Sequence, residues 1–290
     1  MLSIPPRQTL TTLRVFTAWS AVMAYLMGGI AGVAFPELLS LVFMIDLSGR
    51  YDCGYWRLNC GLLAVIGLLY IVTARSRPAV PGNGALLGTV PERLFFVTSA
   101  LLWLLRQSLV PLPFAAAFGL LDSALAIITY MIWSRSTPEA SPKKCMGEIA
   151  KIMLPVLGPT RKWSSNCVQL IGYLQMVISL TFMAKPEIAR DAMGLDAFES
   201  SAKGLLSVLF MQMAIIGWFH VLGGGDGNES FPIAAVFYRL SWSAPLISFL
   251  YYFDGIEQGF AFAFGIADST STLIISICLC IEALPSKTAK

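Results

Sequence analysis

One arrangement able to do proton chemistry occurs twice in this sequence. Arg93 is followed 29 residues later by Asp122, and Arg239 is followed 29 residues later by Asp268. The aspartates sit in near-copies, Phe118-Gly119-Leu120-Leu121-Asp122-Ser123 and Phe264-Gly265-Ile266-Ala267-Asp268-Ser269. Each copy lies about midway along an apolar run of membrane-spanning length. Ionising a carboxyl in hydrocarbon is costly, so an acid there marks a site by default. Two readings follow. If both acids share one cavity, one carboxyl can donate a proton while the other takes one back. If instead each acid is pinned by its own arginine, the pairs are structural. In a hairpin turning near residue 110, Arg93 comes within about 6 Å of the depth of Asp122 at a rise of about 1.5 Å per residue. A guanidinium spans that gap.

For the first reading we assign Asp268 as the donor and Asp122 as its partner, with Arg239 and Arg93 orienting them. The second copy is richer in rings: Tyr238, Trp242 and Phe264, with Phe118 the counterpart beside Asp122, are the candidate substrate-binding residues. Ring faces stabilise a cation electrostatically. Asp46, Asp52, Glu92, Asp196, Glu199, Asp254 and Glu257 fall at expected helix ends and read as interface residues. Asp46 and Asp196 come next as acids, because they recur in both copies. The lone histidine, His220, ends an apolar run and reads as interfacial.

The elements that must hold these residues follow from composition. Hydrophobic residues make up 56% of the chain and charged residues 13%, against about 25% charged in an ordinary soluble domain. Eight apolar runs (14–35, 56–74, 94–110, 113–133, 166–184, 204–222, 232–252 and 259–281) are each near the length that crosses a bilayer core of about 30 Å. The fold expected is an all-α integral membrane protein of eight transmembrane helices, with no obviously broken helix. Its first run reads as an uncleaved anchor. A net charge of +3, with basic residues collecting in connectors without interleaved aromatic platforms, gives no nucleic-acid footprint. The partners expected are the lipid bilayer and a lipophilic small molecule. Six cysteines without paired CxxC units, and one histidine, supply no metal site or disulfide framework, so neither metal nor cofactor is expected.

The runs group as two parallel four-helix repeats, 1–134 and 163–290, around a basic linker, 135–162. An offset of 150 carries Pro36, Glu37 and Asp46 onto Pro186, Glu187 and Asp196, and Gly54 and Gly67 onto Gly204 and Gly217. Beyond the second run the offset becomes 146. Four helices per copy give both copies the same orientation, related by a pseudo-twofold axis along the membrane normal, the parallel-repeat case; if that axis brings the fourth and eighth helices together, the two carboxyls share a cavity. The proline-led pieces 36–46 and 186–196 are too short to span. Gly28 and Gly32 read as a packing stripe. Lys143, Lys144, Lys151, Arg161 and Lys162 place the linker in the cytosol by the positive-inside rule. Both termini then follow it there, and the sequon at Asn228 stays unmodified.

No phosphate loop, HExxH, GxSxG or aspartate-rich terpene cyclase signature occurs. Through Gly54-Tyr55-Trp56-Arg57, Gly61 and Gly67, each half resembles the DoxX-like four-helix bundles, although the second half keeps only the glycines matching 54 and 67. In length, eight-helix layout and buried acids, the whole chain is similar to the fungal membrane-bound terpene cyclases of the ascochlorin and ascofuranone pathways. That resemblance implies an enzyme of meroterpenoid secondary metabolism, in the endoplasmic reticulum membrane. Its substrate would be a prenylated aromatic bearing an epoxide, opened by a buried acid and isomerised through a carbocation. The competing class is a proton-coupled transporter or carrier of a lipophilic molecule, since midplane acids in parallel repeats serve that role too. A structural membrane subunit is the third class, which recurring buried charges disfavour.

The topology is testable directly. Protease digestion of tagged protein in sealed vesicles should cut tags at both termini and in the linker from the cytosolic face; a protected C-terminus would overturn the parallel-repeat reading.

Overall fold

The computed structural model describes residues 11–154 and 162–284. The expected placements of the termini and of Arg161 lie outside the described residues. Among those residues there are only helices, and eight are long and apolar enough to cross a membrane. This is an all-α integral membrane protein. The spans are α1 (Thr12–Ala34), α3 (Asp52–Arg75), α4 (Gly84–Arg106), α5 (Leu112–Ser136), α7 (Trp163–Ala184), α9 (Ala202–Gly225), α10 (Ser230–Tyr252) and α11 (Gln258–Ala283). Three shorter helices complete the set: α2 (Pro36–Val42), α6 (Pro142–Met153) and α8 (Pro186–Met193).

Local chemistry fixes the helix ends. The Thr11 hydroxyl accepts the Arg14 amide at 3.4 Å, and the Ser141 hydroxyl accepts the Lys144 amide at 3.2 Å, so each caps a helix N-terminus. The prolines opening α2 and α8 lack an amide hydrogen where none is needed, and an acid follows each in the first turn. Gly194, at φ 63°, ends α8 in the left-handed conformation that glycine adopts without penalty. Within the basic linker, α6 buries Cys145, Ile149 and Ile152 and leaves its lysines in solvent.

The centre of the bundle differs from expectation. In their most apolar stretches α9 and α3 are 89% and 78% buried, whereas α5 and α11, which carry the two aspartates, are only 28% and 11% buried. The second and sixth spans therefore form the core pair, and the fourth and eighth lie at the rim. Small residues decide this, because they let backbones approach where no hydrophobic force drives lipid-embedded helices together. Gly54, at the start of α3, lies under the carbonyl of Gly255 in the α10–α11 turn. Gly204, at the start of α9, lies under the carbonyl of Leu109 in the α4–α5 turn. The two contacts are reciprocal, each half's central helix seating the other half's hairpin. Likewise α4 packs on α9 and α10 on α3. The stripe on α1 is also shifted: Gly29 and Gly32 face α3, while a side chain at Gly28 would meet open space.

Nor are the spans unbroken. Single π-helical turns occupy Val22–Leu26 in α1, Glu92–Val97 in α4 and Arg239–Ser243 in α10. The last two fall at the two arginines. Such a turn leaves one carbonyl without its usual amide partner and is frequent at functional sites; in α4 the Thr98 hydroxyl donates to the Arg93 carbonyl at 3.2 Å.

A methyl at Gly54 or Gly204 would fall inside van der Waals contact of a backbone carbonyl. Gly54→Ala and Gly204→Ala should each destabilise the protein by about 1–3 kcal/mol, as overpacking does, while Gly28→Ala should be neutral. Thermal unfolding of the detergent-solubilised protein checks the contrast.

Candidate active site

The two sequence offsets align more than the arginines and aspartates. They set Tyr25 against Gln175, Tyr70 against His220, Glu92 against Tyr238, Arg93 against Arg239 and Asp122 against Asp268. Each set of five gathers into one polar cluster inside the apolar bundle.

In the first cluster Arg93 is fully buried, lying 4.0 Å over the Tyr70 ring and 5.3 Å over that of Tyr25. Its Nε donates to the Tyr70 hydroxyl at 2.7 Å and lies 3.8 Å from Asp122 Oδ1. The Tyr70 hydroxyl in turn donates to Glu92 Oε2 at 2.7 Å, and the Tyr25 hydroxyl donates to Asp122 Oδ1. Glu92 and Asp122 are both buried. Phe118 shares the adjoining cavity, whose volume is about 50 Å³.

The second cluster is more open. Arg239 Nε donates to Asp268 Oδ1 at 3.3 Å, and its Nη1 donates to the Ala235 carbonyl at 2.8 Å. The Asp268 side chain keeps 19% of its surface accessible, against 8% for Asp122. Next to it runs an oriented chain. Gln175 Nε2 donates to the Met213 carbonyl at 2.9 Å, which turns Gln175 Oε1 toward His220 Nδ1, 3.2 Å away. That acceptor places the imidazole hydrogen on Nδ1 and leaves Nε2 as an acceptor, 3.2 Å from the Tyr238 hydroxyl. Tyr238 thus aims its hydrogen at His220.

Asp268 stands between inner and outer space. A cavity of about 30 Å³ is shared by Asp268, Tyr238, Gln175, Trp242 and Phe264. Outside lies a cavity of about 400 Å³ whose walls include Arg239, Asp268, Phe182, Phe210 and Phe264. Leu174 and Ile178, also on its wall, are exposed, so it opens on the apolar outer face of the bundle. A third cavity, of about 260 Å³, meets Asp268 and Arg239 from the side of Tyr251 and Phe262. Ligand pockets measure about 300–1,000 Å³, and the 400 Å³ cavity beside the second cluster falls in that range.

Several expectations are therefore revised. The arginine pins its aspartate in both halves, as the structural reading requires. Asp122 and Asp268 do not share a cavity, because their helices lie at the rim of separate halves; Asp122 is no partner for Asp268. Tyr238, Trp242 and Phe264 line the Asp268 cavity, whereas Phe118 belongs to the other cluster. Trp242 Nε1 donates to the Gly61 carbonyl at 3.1 Å, which fixes its ring. Glu92 and His220 are not interface residues but lie buried in the two clusters. Asp52 is buried too, accepting the Gly49 amide at 3.0 Å. Asp46, Asp196, Glu199 and Asp254 are exposed in connectors. Ser200 and Ser48 donate to Asp46 at 2.8 and 2.9 Å, and these bonds, with the Ser48 amide, hold its carboxyl below the ordinary carboxylate range. Glu257, just ahead of α11, accepts the Tyr55 hydroxyl at 2.6 Å, and burial pushes its carboxyl up.

Sequence reasoning missed Tyr25, Tyr70, Glu92, Gln175 and His220 as members of the clusters. The signal was present: Tyr25 and Tyr70 pair with Gln175 and His220 at the offset of 150, and Glu92 pairs with Tyr238 at the offset of 146 that matches the arginines. No protein family, characterised protein or solved structure matches this chain.

Proposed function

We propose that the protein is a membrane-embedded terpene cyclase in which Asp268 protonates a lipophilic substrate held in the 400 Å³ cavity. One observation carries this reading: a partly accessible carboxyl, backed by an arginine, forms the polar floor of an apolar chamber open toward lipid. The substrate class, a prenylated aromatic bearing an epoxide or a reactive alkene, comes from the resemblance to the ascochlorin-type cyclases. An endoplasmic reticulum location accompanies it.

The steps balance as an isomerisation. The Asp268 hydroxyl gives its proton to the epoxide oxygen while a carbon–oxygen bond breaks, leaving a new alcohol and a carbocation. The Arg239 guanidinium stabilises the resulting Asp268 carboxylate. Alkene π electrons attack the cation and form the ring bond, with Phe264, Phe210 and Phe182 offering ring faces to the positive charge. A carbon next to the final cation then loses a proton, and its C–H pair becomes the product double bond. A water in the inner cavity that Tyr238 and Asp268 share relays that proton to the Tyr238 hydroxyl oxygen, whose own hydrogen passes to His220 Nε2. The cavity of about 30 Å³ between Tyr238 and Asp268 has room for about one water, through which the proton returns to Asp268. Tyr238 and His220 thus take the role that the sequence assigned to Asp122.

Membranes containing the protein, incubated with prenylated aromatic epoxides, should yield a product of unchanged mass. Asp268→Asn preserves shape and removes the proton, so turnover should fall about 10²- to 10⁴-fold, the span typical of a general acid. Tyr238→Phe removes the acceptor but not the donor and should cost less than Asp268→Asn. Near-normal turnover in well-folded Asp268→Asn protein would place the acid elsewhere.

Arg239→Ala tests the pair itself. Leaving a carboxyl unpaired in the bundle should lower the thermal unfolding temperature, toward the cost of about 3–5 kcal/mol seen when buried pairs lose one partner, while part of the activity survives.

A further inference from the structure

The first cluster differs from the second in its number of acids: where α10 carries Tyr238, α4 carries Glu92. The exchange places two carboxyls, Glu92 and Asp122, beside a single guanidinium, Arg93. All three are at least nine-tenths buried. Among the described residues no lysine or histidine joins them; the Tyr25 and Tyr70 hydroxyls facing them already donate to the acids, and the Cys60 thiol lines the same chamber. With both acids ionised, the cluster would hold a net negative charge inside hydrocarbon, where an unbalanced charge is least tolerated. One proton restores neutrality. Asp122 is the acid within ion-pair distance of Arg93, at 3.8 Å, so Glu92 is the one to carry it.

A second observation marks this as a site rather than a sealed defect. The adjoining cavity of about 50 Å³ is lined by three further polar atoms that are buried and without partners among the described residues: Trp56 Nε1, Asn59 Oδ1 and Gln212 Oε1. They come from α3 and α9, and Asn59 cannot turn its oxygen away, because its Nδ2 is held by the Tyr55 and Leu205 carbonyls at 2.8 and 2.9 Å. Buried polar atoms of this kind are met by ordered water, and the space suits one or two molecules at about 30 Å³ each. On its other side Glu92 lines a separate apolar cavity of about 180 Å³ with Phe96, Met176 and Leu180. Glu92 thus stands between the chamber that holds these polar atoms and the 180 Å³ cavity.

We propose that this chamber is a second site, distinct from Asp268, which binds water and a single proton shared by Glu92 and Asp122 and resident on Glu92. The proposal does not rest on the cyclase reading, since it concerns charge count and not turnover.

Infrared spectroscopy of the full-length protein in lipid nanodiscs at neutral pH tests it, through the C=O stretch of protonated carboxylic acids. Asp268→Asn serves as the common background, so that Asp268 contributes nothing to the difference. One acid's worth of this band should vanish in Glu92→Gln. It should vanish equally in Asp122→Asn, because the remaining acid is then balanced by Arg93. Arg93→Met should instead add a second acid's worth, and if that variant fails to fold, the two acid variants still decide. A band unchanged by either acid variant, or one reduced in only one of them, would overturn the shared proton.

Discussion

A carboxylate can stay in the interior of a membrane only if a cation, a proton or water neutralises it, and most of this bundle's geometry answers that demand. Each aspartate sits on a rim helix, and each arginine reaches it from the preceding span of the same hairpin. The 29-residue spacing is the consequence: it sets the length of the hairpin, the position of its turn and the depth at which the two charges meet. The π turns at Glu92–Val97 and Arg239–Ser243 belong to the same solution. They shift the helix surface at the arginine and leave a carbonyl to be satisfied locally, by Thr98 in one half. Moving either arginine by one position would rotate its guanidinium about 100° away from the acid.

How much of this can be read in the sequence depends on the range over which the cause acts. Span number, the arginine-to-aspartate pairing and the short helices at Pro36 and Pro186 depend on hydrophobic runs, local caps and spacing within one hairpin, and all of these are visible in the chain. What escapes is the arrangement across halves. Whether α3 and α9 or α5 and α11 occupy the centre turns on which glycines meet which backbone carbonyls, as Gly54 meets Gly255 and Gly204 meets Leu109. Those partners are far apart in sequence. Glu92 and His220 were misread for a related reason. Each lies near the end of an apolar run, and only packing between spans buries it: Glu92 of α4 against α3 and α9, and His220 of α9 against α7 and α10.

That cross-packing also explains why the polar clusters tolerate so little change in shape. Each combines residues of its own half with walls supplied by the other half's central helix: Gln212 of α9 lines the Asp122 chamber, and Gly61 of α3 holds the ring of Trp242 beside Asp268. A change in the α3 to α9 contact would therefore move both chambers together. Coupling of this kind needs no dedicated pathway, because the shared wall is itself the packed element.

The two clusters answer the same electrostatic demand in opposite ways, and this asymmetry is what a duplicated arrangement makes possible. Around Arg93 the neutralising groups are charged and enclosed: two acids, one guanidinium and two tyrosines fill the space, leaving about 50 Å³. Around Arg239 the positions held by Glu92, Tyr70 and Tyr25 are Tyr238, His220 and Gln175, a set that is neutral as drawn by its hydrogen bonds. One arginine then faces one acid, with no second carboxyl beside it. Neutral partners need less shielding from lipid than a second carboxylate, and this cluster stands open to the 400 Å³ cavity. The absence of a second carboxyl is thus what leaves Asp268 facing an open cavity. The presence of one is what compels the Arg93 cluster to stay closed.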